Sequence, residues 1–506
     1  MMRNDTCKKA LVLGIIVLFI GMAFIPSIST TIVKKSKNLP FNGNTLYVGG
    51  DGPGNYTKIQ DAIDDASDGD TVFVYDDSSP YIEWDLLIDK SIKLIGEDKN
   101  TTIIDGGGTH DVVYISANGV QISGFTLQNS YDNWQDAGID IGANNVIVSN
   151  NIILDCCDGI NMYDFRTNNK IIGNTISSTH LNGIGIWYSC NNNLILNNTI
   201  QSNEGDGIEL FGHCNNNNIL GNIIYSNNHG IYVTLFSNNN MISDNMFSSN
   251  KNSGILLGFS SNNIICNNYF SNDGLMVSLN PDHKNIVYNN TVNNKPLVYL
   301  EHESDIVVDT KAGQIILVYC DNITIHNQEL THTNIGIQLE GTDYCFIYDN
   351  ILSDNNRGID LRPFSDHNNI VGNTISNNSY GIYGPSLVNN IEGNTISNNG
   401  HGIYSYGQGG NNIYRNLISN NLYGVKLEWT SDNNISFNNF INNDRNACFH
   451  VFYSHRYNNW NSNYWDRPLL LPKLIFGKIS WKRSEFYIPW INFDRNPAKQ
   501  PYDIGG

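Results

Sequence analysis

The chain has 506 residues, a formal net charge of -19 and only 15% charged residues, and it is rich in Asn, Gly and Ile. That profile excludes a disordered chain or a multi-span membrane protein and points to many short strands joined by polar turns. The acidic balance also argues against a nucleic-acid partner, because phosphate binding needs clustered Lys and Arg.

Residues 1–30 read as a signal peptide or an uncleaved membrane anchor. Arg3, Lys8 and Lys9 precede an apolar run from Ala10 to Ile25, with small residues at Ser27, Ser29 and Thr30. No later apolar run is long enough to span a bilayer, so membrane contact is expected only through this segment. The rest should be secreted or displayed at the cell surface, as a monomer. Of nine cysteines, Cys7 falls in this segment, and none of the others forms a CxxC pair.

Residues 31–43 form a linker, and residues 44–110 carry an N-terminal cap and the first coils. From Tyr56 to Ala66, the positions Ile59, Ala62, Ile63 and Ala66 fall at helical spacing, which predicts a short amphipathic helix. Strand-like runs follow at Thr71 to Val74, Leu86 to Ile88, Ser91 to Ile95 and Thr102 to Ile104.

From there a repeat governs the chain. An Asn-led half, Asn-x-Ile/Phe, begins at Asn151, Asn174, Asn198, Asn222, Asn245 and Asn268, and again from Asn350 to Asn439. A Gly-led half, Gly-Ile-x-aliphatic, follows each at Gly159, Gly183, Gly207 and onward. The period is roughly 22 to 24 residues, and each half alternates apolar and polar residues too briefly for a helix. The pattern predicts an all-β fold: a single-stranded right-handed parallel β-helix whose strands stack at about 4.8 Å from coil to coil. Residues 111–292 form a first arm, 293–320 an enlarged coil, 321–452 a second arm and 453–506 an aromatic C-terminal cap with Trp460, Tyr464, Trp465, Trp481, Pro489 and Trp490. The Asn columns have a structural reading, as residues that tolerate the left-handed turn and bond amide to amide.

These features resemble the pectin-lyase-like superfamily, and specifically its NosD-type, or CASH-domain, β-helix proteins. The likeness rests on Thr57 to Ile63 with Asp68 to Val72, on the repeats, on Lys295 to Tyr299 and on Asn463 to Trp465. It implies the fold, but that superfamily includes lyases, hydrolases, epimerases and a copper-site accessory protein, so the fold alone names no reaction.

In a Gly-Ile-x-aliphatic-x strand, the x positions face solvent and line up in columns. One column holds Tyr163, Trp187 and Phe211, flanked by Asp158, Asp206 and Glu209 as candidate catalytic carboxylates. An aromatic row beside carboxylates suits a glycan groove, and it equally suits a self-stacked surface ladder. Asp158 and Asp206, two coils apart, should be separated by roughly 9.6 Å, as in an inverting pair, although Asp before Gly is also an ordinary turn residue. A second patch joins Arg357, Asp360 and Arg362 with Tyr383, His401 and Tyr404, where guanidinium forks could grip uronate carboxylates. Asn399 to Gly402 matches only the Gly-His-Gly fragment of the polygalacturonase signature, and Pro281-Asp282-His283 reverses the epimerase order.

No cofactor is expected, since neither calcium nor copper has a clear motif. Cys190 and Cys214 with His213 would be the copper donors, and the same two cysteines could instead be a buried or disulfide-bonded pair. The leading expectation is a protein that binds, and as a lyase or hydrolase would cleave, polysaccharide or envelope glycan on its lateral face. The alternatives are a structural or adhesive surface protein and, from the resemblance, a periplasmic accessory protein for copper-site maturation.

Overall fold

The computed structural model describes residues 43–131, 136–278, 284–384, 387–452, 458–480 and 487–504. The N-terminal signal or anchor segment, Pro281-Asp282-His283 and Trp481 lie outside the described residues. Among the described residues, no helix is long and apolar enough to cross a membrane.

The chain winds as a parallel β-helix. Each coil contributes three short strands, for example Lys170–Ile172, Thr175–Ser177 and Ile184–Trp187, and each strand pairs in parallel with its equivalent one coil away. The repeat pattern suggested two halves per coil. Ahead of the Asn-led strand Thr175–Ser177 lies a further three-residue strand, Lys170–Ile172, and Gly173 and Asn174 make the corner between them, Gly173 with a φ of 66°. The register is strict: Ile160, Ile184, Ile208, Ile231 and Ile255 form one inward column, all fully buried. Burying each such side chain is worth about 1.5–3 kcal/mol.

Asparagine ladders close the corners. Asn222 accepts the Asn198 N–H at 2.8 Å and its side-chain amide at 3.0 Å, and donates onward to Asn245 Oδ1 at 3.0 Å. The pattern repeats from Asn151 to Asn290, and from Asn350 to Asn463 in the second arm. The ladder asparagines do not themselves take the left-handed conformation expected of them. That conformation falls on the residue before, such as Asn150, Asn197 or Gly221, which leaves the ladder side chain aimed inward.

At the N-terminal end, the helix is Ile59–Asp65, with Ile59, Ala62 and Ile63 buried against the first coils. Lys58 provides no side-chain cap. Glu83, from a neighbouring turn, instead accepts the N–H groups of Ile59 and Gln60 at 2.8 and 3.0 Å. At the C-terminal end, Trp465 stacks on Phe440 at 4.4 Å, and an antiparallel hairpin, Lys473–Ser480 with Tyr487–Asp494, covers the last coil. Trp460 and Trp465 are buried in this cap, whereas Trp490 remains exposed.

The enlarged coil joins two separate hydrophobic cores. Strand Gln314–Val318 is buried on both faces: Ile316 and Val318 belong to the first core, Ile315 and Leu317 to the second. The first arm's sheet of Gly-led strands ends at Leu275–Ser278, whose edge would otherwise carry unpaired backbone groups. Two glutamine side chains close part of it. Gln314 bonds the Leu275 N–H and carbonyl at 2.9 and 2.7 Å, and Gln338 bonds those of Val277 at 3.2 and 2.6 Å.

Candidate functional site

Function must sit on outward columns, because inward positions and corners are occupied by the core and the ladders. On the first arm, Tyr163, Trp187 and Phe211 are in register. Their rings are not one platform. Tyr163 and Trp187 stack at 4.5 Å, while Phe211 packs edge-on against Tyr188 at 5.8 Å. The indole of Trp187 lies flat over Gly185, where an added Cβ would come within 2.1 Å of it, and its N–H donates to Glu209 Oε2 at 3.0 Å. Gly185 therefore makes room for a ring rather than for a turn.

The carboxylates nearby are rungs of a further ladder. Asp158 Oδ1 accepts the Asn182 N–H at 2.7 Å, Asn182 Oδ1 accepts the Asp206 N–H at 2.8 Å, and Asp206 Oδ1 accepts the His229 N–H at 3.0 Å. Asn182 thus stands between Asp158 and Asp206 in the space an inverting pair would leave for water. Its amide also donates to Glu209 Oε2 at 2.9 Å, so Asn182 links Asp158 to the Glu209 carboxylate as well as to the Asp206 backbone. Burial pushes Asp158 up to about 7, and the nearby Glu209 raises it a little further against the donors from Asn182 and Asn161. Burial likewise raises Glu209, Asp140 to about 6 and Asp111 to about 8.

On the second arm the structure brings Arg357, Asp360 and Arg362 together. Asp360 is fully buried; its Oδ2 accepts from Arg357 Nη1 at 2.6 Å and forms an ion pair with Arg362, whose Nε stands 3.0 Å away without a hydrogen bond. The two guanidiniums are therefore held by one carboxylate, with Arg357 also lying 4.1 Å over the Tyr383 ring. Beyond them extends a sheet of rings. Tyr380, His401 and Tyr423 form one column, stacked at 4.8 and 4.9 Å with interplanar angles of 12° and 7°. Tyr383 and Tyr404 form the next, stacked at 5.4 Å, and Tyr406 leans on both. All six rings are partly exposed. Lys426 lies 5.0 Å over Tyr404 and pairs with Glu428 at 2.9 Å, and Glu428 accepts the Tyr404 hydroxyl at 2.5 Å. Burial and the Lys426 charge hold His401 below the usual imidazole range.

Sequence reasoning named Tyr383, His401 and Tyr404 here but missed Tyr380, Tyr406, Tyr423, Lys426 and Glu428. The signal was present: Tyr380, His401 and Tyr423 each directly precede the glycine of the Gly-led half. That position was weighed at Asp158, Asp206, Arg357 and His401, but not followed as a column through Tyr380 and Tyr423.

Among the described residues, no group of three or more His, Cys, Asp or Glu is placed to hold a metal ion. The eight cysteines described are all free and buried, so Cys190 and Cys214 are not the disulfide considered from their spacing. Burial pushes the Cys190 thiol up to about 12 and that of Cys214 to about 11, and their Sγ atoms donate to the carbonyls of Trp187 and Ile186, each at 3.2 Å. His213 is exposed and stacks on Phe236 at 5.5 Å, away from Cys214.

The coils, ladders and outward columns define a parallel β-helix protein. A family model described as "Periplasmic copper-binding protein (NosD)" matches residues 63–253, 230–307 and 300–469, and the chain belongs to that family. No curated protein sequence matches the chain. Similar solved structures include the mannuronan C-5 epimerase AlgE4 A-module of Azotobacter vinelandii, 15% identical over 77% of this chain and 92% of that one, TM-score 0.36. Another is the lidless DFA-IIIase of Arthrobacter chlorophenolicus A6 with GF2, 13% identical over 65% and 94%, TM-score 0.41. A third is pectate lyase Pel9A, 13% identical over 48% and 78%, TM-score 0.37. The copper of the family's description does not fit the residues described here: the cysteines are buried, and no group of three or more His, Cys, Asp or Glu converges to hold an ion.

Proposed function

We propose that this protein binds an extended polysaccharide or envelope glycan along the lateral face of its second arm, in the periplasmic or extracellular setting that the family's description supports. The carrying observation is the six-ring surface of Tyr380, Tyr383, His401, Tyr404, Tyr406 and Tyr423 over three consecutive coils. Rings held flat on a rigid sheet offer apolar faces for sugar C–H groups at little conformational cost, and hydroxyls and charged groups at their rims supply hydrogen bonds. The first arm is less suited, because Trp187 is folded onto the sheet and its N–H is taken by Glu209. The proposal is one of binding and routes no bond cleavage through Asp158, Asp206 or Glu209.

A glycan-array screen followed by titration of Tyr383→Ala tests it. Loss of one stacking ring should weaken the array hit about tenfold, with an unchanged melting temperature, whereas Trp187→Ala should leave binding intact. Unchanged affinity in Tyr383→Ala would retire the assignment.

A further inference from the structure

The column of rings has a guanidinium at each end. Arg357, Tyr380, His401, Tyr423 and Arg445 occupy successive coils in register, so the two arginines stand about 19 Å apart at four coil spacings. Past Tyr423 the column continues with Arg445, and past Tyr404 the neighbouring one continues with Lys426 and Cys448. There a cavity of about 280 Å³ opens, lined by Tyr423, Lys426, Glu428, Arg445, Phe476 and Lys478 among others.

Three cations and one carboxylate among these lining residues are unusual in a chain whose net charge is -19. The carboxylate is already engaged, by Lys426 at 2.9 Å and by the Tyr404 hydroxyl at 2.5 Å. Arg445 donates through Nη2 to the Phe476 carbonyl at 3.3 Å, and Lys478 rests 4.1 Å over the Tyr487 ring. Neither makes an ion pair with a carboxylate among the described residues. His450, also in the lining, is held below the usual imidazole range by burial first and by the Lys478 charge second. Among the described residues the cavity therefore holds two cations without a carboxylate partner, and it adjoins the ring surface at Tyr423.

We infer that this cavity is an anion subsite at the end of the glycan platform, and that the ligand is a polysaccharide carrying acidic substituents. Carboxylate, sulfate and phosphate share the required chemistry, several oxygen acceptors that can meet a guanidinium fork and an ammonium together. A neutral chain lying on the rings would leave both charges unmatched. The inference rests on the glycan-binding reading of the same face, and it adds the ligand's charge and the residues that read it.

Titration of the full chain with dextran, carboxymethyl-dextran and dextran sulfate separates the two claims, since the backbone is common and only the substituent changes. At least one charged form should bind about tenfold or more tighter than dextran, the gain expected of one charge-assisted hydrogen bond. The double variant Arg445→Gln/Lys478→Gln should abolish that preference and keep the dextran affinity, while Lys170→Gln, an exposed cation on the first arm, should change nothing. Equal affinity for all three polymers, or a preference that survives in the double variant, would overturn the anion subsite and leave the platform standing. Absence of binding to any of the three would count against both.

Discussion

Replacing Asn222 by Ala tests whether the ladders hold the solenoid together or merely decorate it. Asn222 is fully buried. Its Oδ1 accepts two donors from Asn198, and its Nδ2 donates to the carbonyls of Ile195 and Leu220 at 3.0 and 3.1 Å and to Asn245 Oδ1 at 3.0 Å. Truncation leaves the Asn198 backbone N–H without its acceptor and the Ile195 carbonyl without this donor, in a corner closed to water. Each orphaned buried group costs about 1–3 kcal/mol, so the variant should lose about 2–6 kcal/mol in all. Urea unfolding should report that loss. Hydrogen exchange should place it, with protection falling around residues 194–224 and holding in the second arm, because a solenoid's coils couple mainly to their neighbours. Asn218→Ala, on the exposed side of the adjoining strand, should stay within about 0.5 kcal/mol of the parent. A loss below about 1 kcal/mol at Asn222 would refute the reasoning, since one unpaired buried N–H alone should exceed it.

Two further outcomes follow from the first arm. Burial raises Asp111 to about 8, Asp140 to about 6, and Asp158 and Asp273 to about 7, all above the ordinary carboxylate value of 3.8. The folded state then keeps protons that the unfolded chain gives up, so the stability they confer is complete below about pH 4 and is lost as pH rises through about 6–8. Melting temperature should accordingly increase when pH is lowered from 8 to 5, and a flat or opposite trend would show these carboxyls to be ionised in the fold. Gly185→Ala should lift the Trp187 indole off the sheet, since the new Cβ would stand 2.1 Å from the ring; a red-shifted tryptophan emission and modest destabilisation would report it, and an unchanged spectrum would contradict the flat-lying ring.

The coil register was legible because a side chain's role repeats with the period: an inward Ile recurs one coil later, and so does a corner Asn. Columns could therefore be aligned by eye, and Tyr163 with Trp187 and Phe211, or Tyr383 with Tyr404, fall where the repeat puts them. What a ring does within its column was not legible. Trp187 lies down because Gly185 leaves space and Glu209 offers an acceptor, and both depend on three-dimensional contacts between neighbouring coils. The third strand of each coil was hidden for a simpler reason, since a three-residue run such as Lys170–Ile172 lies ahead of the Asn that marks the repeat, parted from the next strand only by Gly173 and Asn174. The junction between the arms was the least legible, because Gln314 and Gln338 meet Leu275 and Val277 across 39 and 61 residues, outside any period.

The ladders also explain where function can and cannot lie. They have a direction: each Asn accepts from the rung before and donates to the rung after, so the last rung needs an acceptor but no donor toward a following one. A carboxylate meets that need without a surplus donor, and aspartates end two ladders. Asp273 takes Asn250 Nδ2 at 2.7 Å at the end of the first arm, and Asp494 takes the Asn463 N–H at 2.8 Å in the C-terminal cap. The same acceptor duty occupies Asp158 and Asp206 beside the first arm's glycines, which ties those carboxylates to the backbone of the next coil. In the second arm the equivalent positions before the glycines carry Arg357, Tyr380, His401 and Tyr423, with Arg445 next in register ahead of Asn446, and these side chains are not rungs and stack or point outward instead. A face released from holding the coils together is free to hold something else, and among the lateral columns of this solenoid that release falls on the second arm.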